Sequence, residues 1–202
     1  MFSLLIGVLM SLSFDSGLAL ALRSRHTWLV CLLTVLPWAV HAAPACEHDV
    51  SLVFRESAPR DLFEIRNDSS KGQGIHRLKL DLAGSAGRLV FDTVAGGTGV
   101  EVFQPFRAEA GEALLTESPT VQDGSDRLAL AFDRFDAGQR FQFSIDVDDR
   151  LTASDLGQIR VSGREMEGAM FTVVIGAPGE PGRERRARVG GSNVARVKAA
   201  CP

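Results

Sequence analysis

The sequence predicts an all-β protein, an antiparallel two-sheet β-sandwich of jelly-roll or immunoglobulin-like type. Apolar residues recur with a period of two over most of the chain beyond residue 50. Glycine-, aspartate- and serine-rich turn signals separate these runs, and no helical period persists beyond two turns. Strict alternation marks strands with one face in a core and one in water. Many short strands at regular spacing are the pattern of two packed antiparallel sheets.

Two apolar stretches precede the strands. The first fills residues 1–22 and contains Asp15; Arg23, Arg25 and His26 interrupt, and TWLVCLLTVLPWAV then runs to Val40. The second stretch has the layout of a secretory signal: a basic flank, an apolar segment of roughly 7–15 residues, then small residues. Val40-His41-Ala42 satisfies the small-x-small cleavage rule, so the mature chain is expected to begin at Ala43. Residues 1–42 are then an N-terminal extension plus signal peptide, and 43–202 form a single domain. The upstream stretch reads either as a start placed too early, the true one lying near residue 20, or as one arm of a membrane hairpin. With about 13 apolar residues, the second stretch falls short of the roughly 20 that cross a bilayer, which favours the signal. The expected location is exported, periplasmic or extracellular, with no stable membrane span after processing.

Export gives the cysteines a use. Cys31 leaves with the signal, and Cys46 and Cys201 remain at the two ends of the mature chain. Two cysteines in an exported chain suggest a disulfide. Closing a loop of about 155 residues stabilises by up to ~5 kcal/mol in the chain-entropy model. The rival use, lipidation of Cys46, is disfavoured by Ala43 and Pro44 where a lipobox wants a leucine-like and then a small residue.

The strands follow in order. Leu52 and Phe54 alternate with polar neighbours, as do Phe63 and Ile65, and then Leu78, Leu80 and Leu82. Val100 and Val102 flank Glu101. Leu128, Leu130 and Phe132 repeat the pattern, and so do Phe141, Phe143, Ile145 and Val147. Ile159 and Val161 flank Arg160, and a last strand is expected near 193–199. Turns are signalled at 67–74, 83–87, 95–99, 122–126 and 136–138. The one helix-like segment, 106–118, is weakened by Gly111. The Pro/Gly/Arg-rich segment GAPGEPGRERRARVGG, 176–191, reads as a flexible solvated loop or, more sharply, as a cationic patch for an anionic polysaccharide.

Composition narrows the function. Removing Arg23 and Arg25 from the 22 basic residues, and Asp15 from the 25 acidic ones, leaves a net charge near −4. That is too mild a balance to argue for nucleic acid. Both tryptophans, Trp28 and Trp38, lie in the leader and tyrosine is absent, so a large carbohydrate-stacking surface is not expected. His48 and His76 have no metal-ligand partner at suitable spacing. The chain has no G-x-S-x-G elbow, phosphate-binding glycine loop, H-E-x-x-H or C-x-x-C, so no catalytic residues are assigned and the protein is not expected to be an enzyme.

FQFSIDVDD, 141–149, carries the one candidate site. Residues i and i+2 of a strand share a face, so Asp146 and Asp148 are expected to point away from the core, roughly 7 Å apart, with Asp149 at the turn. Two readings stand: a solvated strand end, or a site for calcium or another hard cation, which takes oxygen ligands. The spacing is not that of an EF-hand, since Leu151 and Gly157 stand where glycine and glutamate are required. Further acids could converge only through the fold: Asp92, Asp133, Asp136 or Asp155.

FEIRND (63–68), GRLVFDT (87–93), GVEVFQPF (99–106), FQFSIDVDD (141–149) and GQIRVSG (157–163) together resemble small exported bacterial proteins described as aggregation-factor-core-like, after the sponge cell-adhesion proteoglycan core. The likeness covers about residues 48–175. It implies an extracellular or envelope β domain linked to adhesion and assisted by calcium. The expected function is therefore an exported binding or adhesion module, its partner an envelope protein or polysaccharide. A structural scaffold domain is the alternative, and a hydrolase the more distant one.

Overall fold

A computed structural model describes residues 49–57, 60–100, 102–153, 156–157 and 160–198. The leader at 1–42, His48, Asp155 and the expected Cys46–Cys201 bridge lie outside the described residues. Eleven strands are described: β1 (Asp49–Arg55), β2 (Leu62–Asn67), β3 (Gly74–Asp81), β4 (Val90–Asp92), β5 (Arg107–Ala110), β6 (Arg127–Ala131), β7 (Arg140–Ser144), β8 (Asp146–Asp148), β9 (Met170–Gly176), β10 (Arg183–Arg188) and β11 (Val194–Lys198). One short helix, α1, spans Gly163–Met166. No helix among the described residues is long and apolar enough to cross a membrane.

The strands form an antiparallel β-sandwich. One sheet has the order β11-β1-β2-β7-β5, the second β10-β9-β3-β6, and β4 with β8 makes a separate two-stranded ribbon. The period-two pattern sets the layers. Phe54, Phe63, Ile65, Phe141 and Phe143 of the first sheet and Leu78, Leu80, Leu128, Leu130, Phe171 and Val173 of the second belong to one buried cluster. Phenylalanine supplies its centre: Phe63 stacks on Phe143 at 4.8 Å, and Phe132 meets Phe141 edge-on at 5.3 Å. Each such side chain contributes roughly 1.5–3 kcal/mol by leaving water.

Several expected elements differ. Val100 and Val102 lie in a loop and not in a strand. The backbone there is committed elsewhere, since the Val100 N–H donates to Asp148 Oδ2 at 2.7 Å. The segment 106–118 is no α-helix: it splits into β5 and a single 3-10 turn at Glu112–Leu114. The break is Gly111, at φ 79°, a conformation that glycine adopts without a Cβ clash. The expected loop at 176–191 contains β10, antiparallel to β9 with Arg186 opposite Thr172. Ala187 of that strand packs on the core, and pairing with β9 outweighs the charge of its arginines. Val161 is buried outside any strand. Helix α1 carries a capping box, in which the Glu165 N–H donates to Ser162 Oγ and the Ser162 N–H to Glu165 Oε2.

Candidate metal centre

The chain leaves the first sheet at Ile145. β7 ends at Ser144, and β8 begins after that single intervening residue, paired not with a sheet strand but with β4. In that register Asp146 lies opposite Asp92, and Asp148 lies opposite Val90. Directly opposed residues have Cβ atoms about 4.5–5.5 Å apart, and Asp148 shares a face with Asp146, so three carboxylates meet on one side of the ribbon. One oxygen from each of Asp92, Asp146 and Asp148 lies within 4.8 Å of the others.

These acids are not at a wet strand end. Asp92, Asp146 and Asp148 are 2%, 4% and 2% exposed, which overturns the expectation of a solvated terminus. The cover is the loop after β4. Its AGGTG turn lies against the acids, and a Cβ built on Gly99 would overlap the carboxylate oxygens of both Asp92 and Asp148. Gln104 closes the far side: its N–H donates to the Asp92 carbonyl at 3.1 Å, and its own carbonyl accepts the Asp146 N–H at 3.1 Å. Gly99→Ala should therefore force the loop off the cage. The expected cost is about 2 kcal/mol, read as a lower denaturation midpoint, with any calcium-dependent gain lost.

Further acids surround the three. Asp61, 5% exposed before β2, has its carboxyl pushed up to about 8, first by burial and then by the charge of Asp146. Burial and the neighbouring Asp148 and Asp92 push Asp146 up to about 7. Asp148 rises to about 6, chiefly through burial, although the Val100 N–H opposes the shift. Asp92 is raised by burial and by Asp123 beside it. Asp123 goes the other way, down to about 2, because the Thr93 and Thr98 N–H groups donate to it at 2.9 and 2.7 Å.

Among the described residues the cage has no basic partner: none of these carboxylates pairs with a lysine or arginine. Asp92 Oδ1, Asp146 Oδ2 and Asp148 Oδ1 are buried without a hydrogen-bond partner. An unpaired buried carboxylate costs several kcal/mol. A cation placed about 2.4 Å from one oxygen of each carboxylate would offset the three charges, and two ligands of one such ion lie at most about 4.8 Å apart. An all-oxygen set without histidine or cysteine suits a hard ion of the calcium class.

The other sequence candidates are placed as follows. Asp149 is buried beside Asp148 but stands outside the three-carboxylate group; its Oδ1 accepts the Leu151 N–H at 2.8 Å, while Oδ2 has no hydrogen-bond partner. Asp133 accepts the Thr116 hydroxyl, and Asp136 pairs with Arg134 at 2.8 Å; both belong to surface turns. Asp61 and Asp123 were not among the sequence candidates. A comparison of the chain with protein-family models, characterised proteins and solved structures finds no match. The site therefore rests on its own geometry.

Proposed function

We propose that this protein is an exported β-sandwich binding module of the cell envelope or extracellular space, linked to adhesion and assisted by a calcium-class cation held by Asp92, Asp146 and Asp148. The observation that carries the reading is the buried group of three carboxylates, each with an oxygen that no protein donor satisfies. The ion would tie the β4–β8 ribbon to its covering loop, as expected of a structural cation in a surface module. Three clefts among the described residues are lined by other side chains, which supports a fastening role over hydrolysis at the metal. The resemblance to aggregation-factor-core-like proteins points the same way.

Calorimetric titration of the exported protein with calcium at pH 8, with melting in calcium and in chelator, tests the reading. Calcium at a hundredfold excess over its Kd should add about 2.7 kcal/mol, a rise of roughly 5–10 °C for a chain of this size. Identical melting curves and no binding heat would remove the cation from the function.

A further inference from the structure

The outer face of the first sheet carries a polar cleft that the cation reading does not use. It measures about 590 Å³ and is lined by Arg55, Arg60, Glu109, Gln142 and Ser144 among others. A second cleft of about 420 Å³, lined by Arg60, Gln104, Phe106 and Arg107, adjoins it at Arg60. Across the sheet Arg55 stands opposite Leu62, Leu62 opposite Ser144, and Ser144 opposite Arg107. Three strand spacings separate the two arginines, roughly 14 Å.

The charges in and beside the two clefts are loosely matched. Arg55 and Arg140 share Glu64 at 3.8 and 3.9 Å, and Arg60 and Arg107 share Glu109 at 3.5 and 4.0 Å. Four guanidiniums thus face two carboxylates at distances longer than a tight bidentate pair, and Glu56 at the rim adds one acid. The floor is a relay of donors and acceptors: Gln104 Nε2 donates to Ser144 Oγ at 2.8 Å, Ser144 Oγ donates to Glu109 Oε1 at 2.7 Å, and Gln142 Nε2 donates to Glu64 Oε2 at 2.7 Å. Guanidinium forks suit a carboxylate, and alternating donors and acceptors suit hydroxyl groups. No stacking ring is required.

The cleft is also joined to the metal centre. Gln104 supplies its side chain to the cleft floor while its backbone is held by Asp92 and Asp146. Arg60 immediately precedes Asp61, whose carboxyl feels the charge of Asp146 and Asp148.

We propose that this cleft binds an acidic oligosaccharide, with uronate carboxylates on Arg55, Arg60 and Arg107 and hydroxyls on Gln142 and Glu109 above the buried Ser144, and that the cation beneath fixes Gln104 and Arg60 in place. The second half rests on the cation reading; the first does not. The test is calorimetric titration of the exported protein with a glucuronate-containing tetrasaccharide, all in calcium, with a neutral glucan tetrasaccharide as control. Wild type should bind the uronate and not the glucan. Arg60→Ala should weaken uronate binding at least tenfold while its calcium heats stay unchanged, and Arg60→Lys should recover only part. Asp148→Asn should lose calcium binding and weaken the uronate several-fold. Calcium binding without uronate binding would overturn the saccharide assignment alone, as would equal affinity for glucan or an unaffected Arg60→Ala. Wild-type uronate affinity in Asp148→Asn would overturn the coupling. Uronate binding by a wild type that takes no calcium would overturn the coupling together with the cation reading, and leave the cleft standing.

Discussion

Asp146→Asn is expected to make the calcium-free protein more stable at pH 8 and to abolish its response to calcium. The wild-type carboxyl is buried beside Asp148 and Asp92, with a pKa of about 7 in place of 3.8. That difference corresponds to on the order of 4 kcal/mol of unfavourable charge burial. An asparagine keeps the shape and removes the charge. It should recover about 2 kcal/mol net of its own unmade hydrogen bonds, a rise in melting temperature of roughly 4–8 °C. In calcium the order inverts, because wild type gains the ion and the variant does not. Asp123→Asn is the control of opposite sign: Asp123 already accepts two backbone N–H groups, and its replacement should lower the melting temperature with or without calcium. If Asp146→Asn destabilised the chelated protein, the carboxyl would be making a favourable interaction within the cage, and the unmet-charge argument would be wrong.

The pH dependence of stability should run against the usual direction for carboxylates. Aspartates that pair with cations lose stability as pH falls; here the folded pKa values lie above the unfolded one. Between the ordinary aspartate value and about 8, the folded chain holds protons on Asp148, Asp146 and Asp61 that the unfolded chain has released. Stability in chelator should therefore be highest near pH 5 and fall toward pH 8, by an amount on the order of several kcal/mol. Calcium bound at the proposed site would displace those protons, so its stabilising effect should be small at pH 5 and large at pH 8, and its binding heat should vary with the ionisation enthalpy of the buffer. Urea midpoints at four pH values, with and without calcium, measure this. A chelated midpoint that climbs steadily from pH 5 to 8 would contradict the raised values.

The strands were legible because burial writes itself at every second residue. Phe63 and Ile65, Leu78 and Leu80, and Phe141 and Phe143 all sit in the core as their spacing required. The candidate metal centre was half legible. Asp146 and Asp148 could be seen to share a face, but whether that face meets water depends on a loop fifty residues earlier. The alternation at Val100 and Val102 read as another strand, and only the fold reveals that the glycines before it lie against carboxylates. Asp92 follows an apolar pair in GRLVFDT, and an antiparallel match of VFD with DVD would have brought it opposite Asp146. Asp123 gave no comparable signal, because it is placed by turn backbone and not by periodicity, and Asp61, two residues before the core residue Phe63, is brought to Asp146 only by the fold. The same limit hid β10, whose arginines read as loop until β9 lay beside it. For α1 the signal was present, since S-x-x-E at 162–165 is a helix-start signature.

β10 forms one margin of its sheet, hydrogen-bonded on a single side. A margin of that kind offers a row of free amides and carbonyls to any passing chain, and it is where β proteins begin to fibrillate. Arg183, Arg186 and Arg188 stand exposed along it. Two molecules approaching with these ribbons side by side would bring like charges together before a single bond could form, so the arginines act as gatekeepers against self-templated polymerisation.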